Sequence, residues 1–186
     1  MIEDGLDIRG WTLEMTDRTG PVGALSFTDA ALLSDLAAGT LITVSAELAE
    51  DAAYDPAQGD WRFHLRAAEG GTGAYISAAD FSVSHREWIL TIRDAEGFVV
   101  AGPTGEGVAP QDGISSGEVG LLAATPDDDL RRTSADYTDS ARSSFGAPNV
   151  WDGGAQDLSA LRGQTGSVVD IHHEDTAGDD GPEDTG

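Results

Sequence analysis

The stretch Trp88-Ile89-Leu90-Thr91-Ile92-Arg93-Asp94-Ala95-Glu96-Gly97-Phe98-Val99-Val100-Ala101 decides the fold. Trp88, Leu90 and Ile92 alternate with Ile89, Thr91 and Arg93, and side chains two apart share one face of an extended strand. The Asp94-Ala95-Glu96-Gly97 loop ends in Gly, which supplies the left-handed residue that closes a type I turn. Phe98 to Ala101 is then the returning strand of a hairpin.

The same alternation recurs outward from this hairpin. Trp11, Leu13 and Met15 oppose Thr12 and Glu14. Ile42, Val44 and Ala46 oppose Thr43, Ser45 and Glu47, and Trp61, Phe63 and Leu65 oppose Arg62, His64 and Arg66. Strands with one dry and one wetter face belong to antiparallel sheets packed face to face, so the class is all-β. Helical spacing is confined to Asp29 to Gly39, with Asp29 as N-cap, Leu32, Leu33 and Leu36 on one face and Gly39 as the stop. Gly102 to Gly117 is rich in Gly and Pro and reads as a long surface loop. Short strands joined by long loops fit a β-sandwich.

The chain has 186 residues, enough for one domain and a tail. Leu, Ile, Val and Phe make up 20% of it, at the border between folded and disordered compositions. Residues 163–186 hold seven acidic and no basic residues, and are expected to be a disordered acidic tail following a domain at 1–162. Formal net charge is −24, and taking away the seven acidic residues of the tail leaves −17 on residues 1–162. That charge repels phosphate backbones and anionic lipid surfaces, which argues against nucleic-acid binding.

All ten basic residues are Arg, so Lys chemistry, from Schiff bases to the phosphate-binding Lys of a P-loop, is excluded. Without Cys there is no disulfide framework, thiolate nucleophile or Cys-ligated metal. No apolar run reaches the roughly 18 residues of a membrane span, and the residues after Met1 lack the basic and apolar regions of a signal peptide. No cofactor and no membrane insertion are expected.

Several of these landmarks, in order, resemble the lamin-tail domain in its bacterial branch. Gly10-Trp11-Thr12-Leu13 is similar to that family's first strand and is followed by Leu25-Ser26-Phe27 and Gly39-Thr40. The Trp88 to Val100 stretch is similar to its central hairpin. Ser143-Ser144-Phe145-Gly146-Ala147-Pro148-Asn149 resembles its closing run, with Phe145 where the family often has Pro. The resemblance spans residues 6–162. It implies an immunoglobulin-like β-sandwich acting as a non-catalytic interaction or architectural module, in an extracellular or cell-surface setting, with no shared catalytic residues and a protein or glycan partner.

Other residues invite chemistry on their own. Ser143 and Ser144, with four His in the chain, raise a serine hydrolase, but the Gly-x-Ser-x-Gly elbow that strains a nucleophile is absent, so their hydroxyls are expected to bond the backbone before Pro148. His85 shares parity with Phe81 and Val83 and is placed toward the core, whereas His64 is placed in water with Arg62 and Arg66. His172-His173-Glu174-Asp175 packs four potential ligands too closely to wrap one ion. Asp127-Asp128-Asp129 and the Asp51, Asp55, Asp60 set offer oxygen ligands for calcium without the alternating spacing that surrounds an ion, so no metal site is assigned. Gly102 to Gly107 lacks the Lys-Ser/Thr of a phosphate loop.

Trp11, Trp61 and Trp88 share parity with apolar neighbours and are assigned to the core. Trp151, beyond Pro148-Asn149, is the candidate ligand-binding residue. The alternative to a lamin-tail-type module is therefore a carbohydrate-binding module built on Trp151 and the acidic loops, with calcium.

Overall fold

The computed structural model describes residues 5–46, 55–67, 73–110, 119–124, 131–138 and 144–162. Alternation at Thr12 to Met15 gives β1 (Thr12–Asp17), which turns through Arg18-Thr19 into β2 (Gly20–Phe27). β3 (Leu41–Ser45) and β4 (Arg62–Arg66) follow, then β5 (Ile76–Asp80), β6 (Ile89–Arg93) and β7 (Val99–Thr104). Short pairs complete the chain: β8 (Leu121–Leu122) with β9 (Tyr137–Thr138), and β10 (Val150–Trp151) with β11 (Gly154–Ala155), before the single turn of α1 (Ser159–Arg162).

Five strands form one antiparallel sheet in the order β5-β2-β1-β6-β7. Register puts Leu13 opposite Leu25 on one side and Ile92 on the other, and Met15 opposite Leu90, so these residues share a face. Glu14 lies on the other face, where its Oε2 accepts a 2.9 Å hydrogen bond from Arg93 Nε. The β6–β7 hairpin closes as its sequence predicts. Asp94 N–H donates to Phe98 O at 2.9 Å, Asp94 Oδ1 accepts from the amides of Glu96 and Phe98, and Gly97 takes φ +89°.

The core lies between the dry face of this sheet and the β3–β4 pair. Leu25, Phe27 and Ile76 meet Phe63, Leu65 and Ala67, with Ile8, Leu33 and Leu36 filling one end. Phe63 sits edge-on to the Tyr75 ring, 5.0 Å between centroids, an arrangement that aligns ring edge with ring face. The result is an all-β sandwich.

Five local readings change. The β3–β4 pair is parallel, Leu41 to Ser45 matching Arg62 to Arg66, because residues 46–61 are long enough to return the chain to the same end. The expected helix at Asp29 to Gly39 is reduced to a 3-10 turn at Ala31–Leu33 capped by Ala30. Leu33 and Leu36 reach the core by hydrogen bonding to Ile8 and Leu6 instead, and tertiary pairing replaces the helix.

The span read as a surface loop from Gly102 begins buried. β7 runs to Thr104, and Gly107 lies so close to the β6 side that a Cβ there would sit 2.1 Å from Glu87 O. Glycine is required at that position by close backbone approach. His85 is exposed, because residues 81–84 form no strand and impose no alternation. Of the tryptophans, Trp11 packs against the core, whereas Trp88 is half-buried outside that cluster, its Nε1 enclosed without a hydrogen-bond partner among the described residues.

Candidate functional site

On the outer face of the β3–β4 pair, Leu41, Thr43 and Ser45 stand beside Arg62, His64 and Arg66. Parity assigns His64 to the same face as the two arginines, as read, yet the imidazole is covered. The Phe145 ring stacks on it, 5.6 Å between centroids and 5° from parallel. Gly146, at φ +70°, presses against the ring so closely that a Cβ would fall 2.3 Å from His64 Cε1. His64 Nδ1 is enclosed without a hydrogen-bond partner among the described residues.

The segment that covers His64 is the Ser144 to Asn149 run. Ala147 N–H donates to Ser144 O at 2.7 Å, forming a turn with Gly146 in its left-handed position. The Ser144 hydroxyl donates to Asn149 Oδ1. Asn149 in turn holds the run to β8, its Nδ2 donating to Leu122 O at 3.0 Å, while its amide donates to Gln156 Oε1 at 2.9 Å. Gln156 reciprocates through its amide to Asn149 O at 2.8 Å and through Nε2 to Ala124 O at 2.9 Å. Asn149 and Gln156 thus bracket the β10–β11 hairpin and tie it to β8 and the residues that follow it.

Two adjoining cavities lie between this cover and the outer side of β3. The larger, about 350 Å³, is bounded by Leu41 to Thr43, by Val119 to Leu121 and by Ser144 to Ala147. The smaller, about 220 Å³, shares Leu41, Gly146 and Ala147 and adds Trp61, Arg62 and Arg162. Arg162 lies over the Trp61 ring at 5.3 Å, within cation–π range, and its Nε and Nη2 donate to Gly39 O at 3.2 and 3.1 Å. Burial lowers the Arg162 pKa from its ordinary value.

Trp151, the candidate ligand residue, is half-buried and bounds neither cavity. Its indole folds back on the partner strand, where a Cβ on Gly154 would lie 2.6 Å from Trp151 Nε1. Trp61 is the tryptophan that reaches a cavity. Sequence parity with Phe63 and Leu65 hid this, because the arginine that draws its ring into the site comes from the far end of the chain.

Ser144 is drawn into the site as a structural donor. Asp55 and Asp60 shape their own loop: Asp55 O accepts from Gln58 and Asp60, and Asp60 Oδ1 accepts from the Arg62 amide. Among the described residues no three His, Asp or Glu side chains gather as a metal would need. Ser143, Asp51, Asp127 to Asp129 and His172 to Asp175 lie outside the described residues, as does the acidic segment 163–186. No described helix is long and apolar enough to cross a membrane.

A second polar cluster sits at the end of β7. Glu106 is buried there, and burial raises the Tyr137 pKa against the opposing effect of a hydrogen bond with Thr104. Thr104 Oγ1 also takes the Arg132 amide at 3.1 Å, which fastens β7 to the segment entering β9.

Fold and site together define an all-β sandwich with a grooved cover over its smaller sheet. No protein-family model, curated protein or solved structure matches this chain.

Proposed function

We propose that the chain is a non-catalytic interaction or structural module of lamin-tail type, working within a surface or secreted assembly. The observation that carries this reading is the fate of the groove's polar side chains. Ser144, Asn149 and Gln156 are bonded to one another and to the backbone of β8, so they stiffen the cover and present no activated nucleophile. What the groove offers a visitor is apolar side chains, backbone edges and, at one end, two guanidinium groups.

The carbohydrate alternative gains little from the indoles. A sugar platform needs an open aromatic face, and Trp151 is packed on Gly154 while Trp61 carries Arg162.

The test is an assay of the purified full chain against chromogenic carboxylic esters, phosphate esters and glycosides, beside the Ser144→Ala variant. Both proteins are expected to match the buffer background. Turnover by the parent that the variant loses would overturn the reading in favour of a serine hydrolase.

A further inference from the structure

We infer that the outer edge of β3 is a docking site for an extended segment of a partner protein, an apolar strand bearing a single carboxylate at one end. This deepens the interaction-module reading and rests on it.

The register of the parallel pair sets the edge. Leu41 N–H donates to Trp61 O, and Ala67 N–H donates to Ser45 O. In a parallel ladder the residues that bond one neighbour are every second one, so Leu41, Thr43 and Ser45 turn their backbone groups to β4. Ile42 and Val44 turn theirs the other way, and among the described residues nothing pairs with them. The larger cavity lies along this edge, with Ile42 in its wall.

The opposite wall is also backbone. Ala123 N–H donates to Asp136 O, which fixes the antiparallel alternation of β8 and β9 and turns the Gly120 and Leu122 groups away from β9. Leu122 O is taken by Asn149, and Gly120 borders the cavity. Val119, Leu121 and Phe145 supply apolar surface, and Phe145 is 54% exposed. A strand residue fills roughly 150 Å³ from its rise and its spacings to neighbouring strands and sheets, so about 350 Å³ holds two residues of added strand. Strand addition draws affinity from main-chain hydrogen bonds and selectivity from pockets for alternate side chains.

Charge chooses the partner's end group. The adjoining cavity carries Arg62 and Arg162, two of only ten basic residues in a chain of net charge −24. Arg162 commits Nε and Nη2 to Gly39 O, whereas Arg62, 4.0 Å from Asp60 Oδ1, keeps most of its side chain exposed, so an incoming carboxylate takes its charge-assisted hydrogen bonds from Arg62, with Arg162 adding positive charge beside it. The field of the whole molecule repels a polyanion. A segment with one carboxylate and otherwise apolar or neutral side chains meets both conditions.

The experiment titrates the isotope-labelled full chain at about 0.15 M salt with two capped peptides, Asp-Val-Thr-Val-Thr and Thr-Val-Thr-Val-Asp, one for each strand direction. Expected are saturable shifts by one of them, and slower amide exchange at Ile42 and Val44 once it is bound. Methylating alternate peptide nitrogens should abolish binding. Exchanging the peptide's Asp for Asn should weaken it about tenfold, and Arg62→Gln should weaken the Asp peptide by a like factor and leave the Asn peptide unchanged. Arg62 is exposed, so the variant is expected to fold. Shifts by neither peptide up to ~1 mM, shifts centred away from β3, or equal binding of the methylated peptide would each overturn the inference. Each of those outcomes leaves the non-catalytic reading standing, since that reading falls only on turnover.

Discussion

The imidazole of His64 and the ring of Phe145 lie parallel, 5.6 Å apart at their centroids, although one belongs to β4 and the other to the closing run of the domain. This contact makes the β3–β4 pair a middle layer, with the sandwich core on one side and the cover on the other. It also explains why a residue whose parity points to water has an enclosed ring nitrogen.

Gly146 sets how closely the cover descends. Gly146→Ala adds a Cβ that must displace the His64 ring and places alanine at φ +70°, so a loss of about 1–3 kcal/mol is expected. In a double-mutant cycle with His64→Ala, the ring clash disappears and only the backbone strain remains. Thermal unfolding of the four proteins checks this, and strict additivity would contradict the contact.

Asn149 is the latch of the closing hairpin. Asn149→Ala removes the bond to Leu122 O and leaves the Ser144 hydroxyl without its acceptor, at a cost of about 1–3 kcal/mol. Amide exchange should quicken across Val150–Ala155 before it does in the five-stranded sheet. Unchanged exchange there would show that the hairpin is held by other means.

β1 and the β6–β7 hairpin were legible because each local signal, alternation or a Gly-closed turn, is satisfied within a few residues, whereas β2, β5 and the short pairs β8–β9 and β10–β11 were not read as strands. The β3–β4 pair was legible as two strands but not as a parallel pair, since side-chain period is the same in either direction. The 3-10 turn at Ala31–Leu33 and the burial of Glu106 depend on contacts from distant segments, and local propensity carries no trace of them. The site divides the same way. The Ser144 to Asn149 run stood out in the sequence, whereas the role of Trp61 depended on Arg162, and Trp151 attracted notice by being a tryptophan in irregular chain.

Acid should weaken the fold through particular carboxylates. The Arg9 side chain, with help from its amide, holds the Asp7 carboxyl at about 2, and hydrogen bonds from Thr19 and then Ser84 lower that of Asp17. A carboxyl whose folded pKa is depressed stabilises the fold above its unfolded pKa, near 3.9. That contribution is lost as pH falls from about 4 toward about 2. Carbon-detected titration should find the Asp7 midpoint at about 2. A midpoint near 4 would remove the pair from the account.

Salt should stabilise the protein. Its net charge of −24 sets like charges close together, and self-repulsion opposes the compact state. Raising sodium chloride from about 0.01 M to about 0.15 M shortens the Debye length from roughly 30 Å to roughly 8 Å, and most of the rise in melting temperature is expected in that interval. Calcium at matched ionic strength should add nothing further. A flat sodium chloride series would contradict the repulsion argument, and a large extra shift with calcium would point to a specific oxygen site.

The central claim is that β3 is joined to β4 on one side and, among the described residues, open on the other, beneath a cover formed by the closing run. Residue-resolved amide exchange in the free full chain tests it most directly. Slow exchange at Leu41, Thr43 and Ser45, with fast exchange at Ile42 and Val44, is the predicted result. Uniform protection along Leu41–Ser45 would mean that another strand already occupies the edge, and uniformly fast exchange would mean that the parallel pair does not form.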